Sequence, residues 1–219
     1  MHYKALSMQD QQQAEASFQA IREIRGIMER SSRFLSLSGW SGVWAGGTAL
    51  VSAVIAWKMN CSFFLRSDLR NAQFHSITIQ LIILALITFL VAFGGAYYFT
   101  WRKAVSNGQK MWTRASRQLM WQVAIPVIAG GIFCLAFLIA DDLEFIPPAC
   151  LAFYGMALIN GSKYTLGEVR WLGYSELLLG CIALFVPYFG LVFLTLGFGV
   201  LHILYGIIMW NKYDNGQAA

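Results

Sequence analysis

Long apolar runs separated by short polar segments cover most of this chain. Six of them lie near the length of about 20 residues that an α-helix needs to cross the hydrocarbon core of a bilayer. They span residues 34–57, 76–100, 119–140, 146–162, 171–187 and 191–211. The pattern predicts an all-α, polytopic membrane protein whose membrane domain, residues 34–212, is a bundle of six transmembrane helices.

A different pattern precedes the first run, over residues 1–33. Apolar side chains recur there at helical spacing, at Ala14, Phe18, Ile21, Ile24 and Met28. Such a stripe is typical of an amphipathic helix, and its arginines lie close to the first span. We predict a cytoplasmic amphipathic helix that lies on the membrane surface. Docking against a partner helix is the alternative.

Composition supports the membrane class and orients the chain. Of the 219 residues, 12% are charged, which is about half the fraction found in soluble domains. The net charge of +5 would suit a nucleic-acid binder, but the basic residues lie in the loops, so we expect the lipid bilayer as partner and no nucleic acid. Six spans place thirteen of the sixteen Lys and Arg residues on the side of the termini. By the positive-inside rule both termini, including the short tail 213–219, are therefore predicted to be cytoplasmic.

Two ionisable side chains, Glu176 and His202, fall well inside predicted spans. Glu176 shares a helix face with Gly180, and His202 shares one with Gly199 and Gly206. Small residues let membrane helices approach closely, so both faces are predicted to point into the bundle, where the two side chains meet directly or through a water. Further candidates for this polar site at similar depth are Asn160, Tyr174 and Tyr205.

Two interpretations of this pair stay open. Ionisable residues are costly inside a membrane, and by default they suggest a functional site such as a proton or solute pathway. Alternatively, a protonated Glu176 is hydrogen-bonded between helices and only holds them together. The sequence does not decide between the two.

Small residues also mark where helices are expected to pack closely, within the chain or against a second copy. The predicted packing positions are Gly42, Gly46, Gly130, Gly131, Gly180, Gly199 and Gly206. Four of them, Gly42, Gly46, Gly130 and Gly131, lie within the two copies of a candidate internal repeat. Residues 28–57 align without a gap on residues 112–141, with ten identities in thirty positions, including a central Ala-Gly-Gly. If this repeat is a duplication, spans 1–2 and 3–4 are parallel modules; convergent membrane composition is the alternative.

No sequence pattern indicates catalysis or a cofactor. The chain has no HExxH motif, no catalytic Ser–His pairing and no paired intramembrane carboxylates. Its four cysteines show no CxxC spacing, so no metal site is expected, and a haem with two histidine ligands would need a second histidine at depth. Cys134 and Cys181 are expected to pack inside spans. A disulfide between Cys61 and Cys150 on an oxidising outer face is left open.

Several segments resemble a known family. The segments MERSSRFLSLSG, IAGGIFCLAF, KYTLGEVRWLGYSELLLG and GFGVLHILYGIIMW are similar to those of an uncharacterised family of six-span bacterial inner-membrane proteins. The resemblance covers about residues 27–212. It implies the six-span topology and a location in the bacterial inner membrane. It implies no activity, ligand or functional residue, because none is known for the family.

These observations favour a multi-pass membrane component without chemistry of its own. We expect a sensor, a scaffold or an accessory subunit that uses its N-terminal helix, its basic loops and its small-residue faces. The alternative is a small permease or channel with a proton-linked polar site at Glu176 and His202.

Overall fold

The computed structural model describes residues 37–59 and 72–215, with side chains in the second range from residue 78 onward. The predicted amphipathic helix over 1–33, Cys61 and most of the C-terminal tail lie outside these residues. Their predictions are therefore left as they stand.

Helices make up nearly all of the described chain, and no strand occurs in it. The first five are α1 (Gly39–Lys58), α2 (Ala72–Ser106), α3 (Arg114–Ile139), α4 (Ile146–Gly161) and α5 (Glu168–Phe185). The last helix is continuous but changes its winding. It consists of α6 (Gly190–Leu194), a π-helical segment (Thr195–Leu201), α7 (His202–Met209) and a second π-helical segment (Trp210–Asp214).

Within residues 37–59 and 72–215, five helical segments are long and apolar enough to cross a membrane. They are Gly39–Lys58, Thr78–Ser106, Arg114–Ile139, Leu143–Tyr164 and Pro187–Asp214. The sixth predicted span falls on α5, which has 18 residues and carries Glu168, Arg170 and Glu176. These charged residues set α5 apart from the five. The prediction of an all-α protein with several membrane-length helices is confirmed, and the sixth span stays a prediction.

The helices form two groups that meet along the last helix. In the first group α1 packs on α2 and on the last helix; in the second, α4 packs between α3 and α5. The last helix contacts both α4 and α5, so it joins the two groups along its length. At the end where α5 begins, Leu166 and Val169 pack on Met209 in a small hydrophobic cluster. At the other end, a methyl group on Gly190 would lie 2.7 Å from the ring of Pro147.

Glycine makes the close helix contacts possible, and six of the seven glycines named above lie at such contacts. A methyl group on Gly206 would lie 2.6 Å from the backbone nitrogen of Val43, and one on Gly46 would lie 2.6 Å from the carbonyl oxygen of Gly199. Both distances are shorter than van der Waals contact, so these backbones touch. A methyl group on Gly131 would meet no atom of the described chain within 4 Å, so this glycine has no close helix contact there and its packing against a second copy stays a prediction.

Ion pairs close the bundle at the end where α1 begins and the last helix ends, which we call the basic end. Asp214 lies 2.5 Å from the Nζ of Lys103 and accepts a hydrogen bond of 3.0 Å from the backbone N–H of Gly39, the first residue of α1. Glu168 accepts hydrogen bonds from Lys212 at 2.6 Å and from Tyr213 at 2.9 Å. Asp214 thus links α1, α2 and the last helix, and Glu168 links α5 to the last helix.

Candidate functional site

Glu176 lies where α4, α5 and the last helix meet. Its side chain is 0% exposed, on the same face of α5 as the buried Gly173 and Gly180. That face is closed by backbone contact with α4: a methyl group on Gly180 would lie 2.6 Å from the backbone nitrogen of Ala152. Because α4 and α5 approach so closely, the longer Glu176 side chain is enclosed between them and the last helix.

The last helix places His202 beside this carboxyl group. Its Nδ1 lies 3.3 Å from Oε1 of Glu176 and 3.1 Å from the carbonyl oxygen of Gly197. Its Nε2 lies 2.9 Å from the hydroxyl group of Tyr154 on α4. One imidazole ring therefore contacts a side chain from each of the other two helices. We call Glu176, His202, Tyr154 and Gly197 the junction cluster.

Aromatic rings hold His202 in position. The ring centroids of Tyr154 and His202 are 5.4 Å apart in a stacked arrangement. Phe198 lies 5.9 Å from His202 and 5.1 Å from Tyr154, so the three rings form one group. Rings in such contact restrict the rotation of the imidazole, which fixes the direction of its two nitrogens.

Hydrogen bonding assigns a proton pattern to the cluster. A neutral His202 with its proton on Nδ1 is fully satisfied, since it donates to the Gly197 carbonyl and accepts from the Tyr154 hydroxyl. The Nδ1 to Oε1 contact is short enough for an ion pair, yet neither oxygen of Glu176 forms a hydrogen bond with any residue that the structure describes. An ionised Glu176 would therefore be a buried charge beside a neutral ring, which is far more costly than a neutral acid. A neutral cluster, with a proton on Glu176, avoids this cost.

The π-helical segment supplies the wall opposite Glu176. A methyl group on Gly197 would collide with Oε2 of Glu176 and lie 2.5 Å from a methyl group of Leu151. Only glycine fits between these side chains. Departures from α-helical winding of this kind occur often at functional sites, because they re-aim side chains and backbone carbonyls. Here the departure ends at His202.

The other predicted site residues lie away from the cluster. Asn160 is six residues after Tyr154, about 9 Å further along α4. Tyr174 is 46% exposed and packs on Trp171. Tyr205 does join two helices, but its hydroxyl lies 3.5 Å from that of Ser175. The structure thus brings Glu176 and His202 together and places these three residues elsewhere.

The sequence analysis missed two members of the cluster: Gly197, whose carbonyl oxygen lies beside Nδ1 of His202, and Tyr154. Tyr154 stands one residue before Gly155, which packs on the backbone of α5: a methyl group on Gly155 would lie 2.5 Å from the nitrogen of Leu177. A hydroxyl-bearing ring next to a packing glycine in the middle of a span was the available signal. Because the residues around Tyr154 in α4 are apolar on all sides, the sequence did not indicate which face of this helix points into the bundle.

The described residues contain no group of three or more His, Cys, Asp or Glu side chains that could hold a metal ion. The cluster offers one carboxyl group, one imidazole, one phenol and one carbonyl, a set suited to holding or passing a proton.

No protein-family model, no curated protein and no solved structure matches this chain. The resemblance to six-span bacterial inner-membrane proteins therefore stays a prediction. The junction cluster and the packing of the helices are therefore the features that bear on function.

Proposed function

We propose that the protein is a multi-pass component of the bacterial inner membrane with no chemistry of its own: a sensor, scaffold or accessory subunit. Its working part is the seam along which the last helix joins the two helix groups. Conformational signals between membrane helices are carried by packed elements that have two discrete arrangements. We expect the seam to be such an element, with a closed arrangement that the polar cluster at mid-depth and the ion pair at its end stabilise.

The complete burial of Glu176 supports this proposal best. A carboxyl group on a solute pathway needs a route for water, whereas Glu176 is 0% exposed and is enclosed by Leu151, Gly197 and His202. Enclosed polar groups between membrane helices fix the helices in one arrangement and resist their separation. The contacts within the cluster can therefore form only when the seam is closed.

A small permease or channel with a proton-linked site is the second candidate. One observation favours it: both carboxyl oxygens of Glu176 lack a hydrogen-bond partner among the described residues. Buried oxygens without a protein partner need a functional explanation, and exchange of a proton or binding of an ion is one. In this alternative the π-helical segment re-winds to open a path to Glu176.

Flux measurements separate the two candidates. The purified protein is placed in liposomes, and the movement of protons, Na⁺ and K⁺ is followed for wild type, Glu176→Gln and His202→Ala. Glu168→Gln serves as the control, because it removes a carboxylate at the basic end and leaves the cluster intact. We expect no flux above empty liposomes for any of the four proteins. Flux in wild type and in the control that is lost in both cluster variants would make the permease the correct function.

The six-span topology with both termini cytoplasmic belongs to the same proposal. Two observations support α5 as the sixth span. Its buried face is enclosed by α4 and the last helix, and its charged side chains lie either at the basic end or inside the junction cluster. Single cysteines at positions 108 and 141, in a variant without native cysteines, test the topology in whole cells. Labelling by a membrane-impermeant maleimide at 141 and not at 108 is expected. Labelling at both positions or at 108 alone would refute the orientation.

The internal repeat also remains a proposal, and the packing of its glycines supports it. Gly46 and Gly130 hold equivalent positions in the two copies, and both lie at close contacts, with Ile203 and Phe153 respectively. A methyl group on the next glycine in each copy, Gly47 or Gly131, would meet no atom of the described residues within 4 Å. The two copies thus share the order of a close-packed and an open glycine, although the partner differs: Gly46 packs on the last helix and Gly130 on α4.

A further inference from the structure

Two cysteines from different helices meet near the end of the bundle that carries the acidic loop. The Sγ atoms of Cys134 on α3 and Cys150 on α4 are 3.6 Å apart, and both residues are free thiols. The sequence analysis assigned Cys134 to packing and considered Cys150 only as a partner for Cys61. The structure instead gives Cys150 a neighbour 16 residues earlier in the chain.

The packing of α3 on α4 keeps the two thiols together. Contacts between these helices follow one antiparallel register on both sides of the cysteines. Toward the acidic loop, the rings of Phe137 and Phe145 are 5.7 Å apart. On the other side, a methyl group on Gly130 would lie 2.6 Å from Cβ of Phe153. The helices cannot slide without breaking these contacts, so the proximity of the sulfurs is a property of the hairpin.

The thiols lie within reach of the membrane surface. Cys134 is about 8 Å from the end of α3 and Cys150 about 6 Å from the start of α4, and both are partly exposed. The loop that follows α3 carries Asp141, Asp142 and Glu144. In the proposed topology this loop faces the extracytoplasmic side, where disulfides form and persist.

We propose that Cys134 and Cys150 are a redox-active dithiol, oxidised to an intramolecular disulfide by a disulfide-bearing thiol oxidant on the extracytoplasmic side. One cysteine attacks the oxidant's disulfide as a thiolate, and one sulfur of the oxidant leaves as a thiolate. The second cysteine then attacks the resulting mixed disulfide and releases the other sulfur of the oxidant. In total the pair loses two protons and two electrons, and the oxidant's disulfide becomes two thiols.

Bond formation requires only a small local movement. The sulfurs must approach from 3.6 Å to about 2.05 Å, which rotation of two cysteine side chains on facing helices can provide. The bond would close a ring through the acidic loop and fix the outer ends of α3 and α4. This inference rests on the proposed topology but not on the role of the junction cluster.

The test counts free thiols in a Cys61→Ser/Cys181→Ser variant, in which only Cys134 and Cys150 remain. Cells are quenched in acid, and the denatured protein is alkylated with N-ethylmaleimide and weighed by mass spectrometry. The same protein, purified and reduced, is also exposed to oxidised glutathione. A matched variant that additionally carries Cys134→Ser shows that the remaining thiol is labelled under these conditions.

A monomer with no adduct from cells, and with two adducts after reduction, is the expected result. The Cys134→Ser control should then carry one adduct. Two adducts from cells, with none after treatment with oxidised glutathione, would overturn the extracytoplasmic oxidation while leaving the geometry intact. Two adducts under both conditions would overturn the pairing itself. A disulfide-linked dimer in either sample would also contradict the inference.

Discussion

The junction cluster and the basic end use similar chemical groups in opposite ways. At the basic end, Asp214 faces Lys103 and the N–H of Gly39, and Glu168 receives hydrogen bonds from Lys212 and Tyr213. In the junction cluster, Glu176 is more deeply buried than either and receives no hydrogen bond from the described part of the chain. Asp214 and Glu168, which have several hydrogen-bond donors, are thus the two of these carboxyl groups that are partly accessible to water.

The difference shows how burial decides the charge of a carboxyl group. Near the surface a carboxylate keeps its charge, because donors and solvent stabilise it at little desolvation cost. At the centre of the bundle the cost of an unpaired charge exceeds what one neutral imidazole returns, so a proton is kept instead. The basic end is therefore held together by charge and the junction cluster by packing and neutral hydrogen bonds. Variants at the two places should respond differently.

The largest effect is expected from filling the space beside Glu176. Gly197→Val would force side-chain atoms into the carboxyl group and Leu151, and overpacking of this kind should cost about 3 kcal/mol of stability in detergent. Adding Glu176→Ala should recover part of the loss, since it removes one of the colliding groups. Gly131→Val is the control, because open space surrounds that glycine. A Gly197→Val protein as stable as this control would contradict the close junction.

Removing the hydroxyl group of Tyr154 should have the next largest effect. Tyr154→Phe leaves Nε2 of the buried His202 without its hydrogen bond, which should cost about 1–3 kcal/mol. Tyr174→Phe removes the same atom from an exposed ring and should be neutral. Thermal unfolding of the two variants in the same detergent makes the comparison. Equal melting temperatures would remove Tyr154 from the cluster.

At the basic end, loss of a charge should matter more than loss of shape. Asp214→Asn keeps an acceptor for Gly39 but leaves Lys103, 12% exposed, without its counter-charge; we expect a loss of about 1–2 kcal/mol. Adding Lys103→Met should restore part of the stability. High salt should shrink the difference between Asp214→Asn and wild type. A single variant as stable as wild type at low salt would show that the ion pair contributes nothing.

The isosteric change in the junction cluster should be milder than the one at the basic end. Glu176→Gln replaces a neutral acid by a neutral amide, so stability should change by less than about 1 kcal/mol. A loss of about 3–5 kcal/mol would instead indicate an ionised Glu176 paired with a charged His202. Comparing the melting temperatures of Glu176→Gln and Asp214→Asn thus contrasts the two regions directly.

The smallest effect concerns Glu168 and appears only in acid. Burial alone would raise the pKa of Glu168, but hydrogen bonds from Lys212, the backbone and Tyr213, together with the Lys212 charge, outweigh it and hold the pKa below its usual value. A lowered pKa means that the folded state binds the proton less readily, so the contribution is complete above the unfolded pKa. It is lost as the pH falls below about 4.3 and through the folded pKa.

The corresponding test compares wild type with Glu168→Gln between pH 7 and pH 3. Wild type should have a slightly higher melting temperature at neutral pH, and the difference should vanish in acid. Because Lys212 is 59% exposed, the difference should be smaller than that for Asp214→Asn. A difference that grows as the pH falls would show that the pKa of Glu168 is raised, not lowered, in the folded protein.

Helix positions and the pairing of Glu176 with His202 were open to prediction from the sequence. Apolar length placed the helices, and the i+4 spacing of Glu176 to Gly180 and of His202 to Gly206 marked the faces that touch neighbours. The same helical spacing shows that Tyr174 should not have been predicted as a site residue. It is two residues from Glu176, which places it on the opposite side of α5.

The rotation of α4 and the winding of the last helix were beyond the sequence. Apolar residues surround α4 on every side, so periodicity gave no face for Tyr154 or Cys150. The π-helical segment depends on how α1, α4 and α5 pack around Gly197, and no local residue pattern specifies it. The sequence likewise could not distinguish Gly131 from Gly130, because both are small residues at adjacent positions of the same span. Only the neighbouring helix, through Phe153, distinguishes the two glycines.

The account depends most on the neutral state of Glu176. Infrared spectroscopy of the protein in nanodiscs at neutral pH measures that state, as the difference between wild type and Glu176→Gln. The account predicts a C=O band of a protonated carboxylic acid in wild type that is absent from Glu176→Gln and retained in Glu168→Gln. A difference spectrum with only ionised carboxylate bands would contradict it, and the junction would then be a buried ion pair between Glu176 and His202.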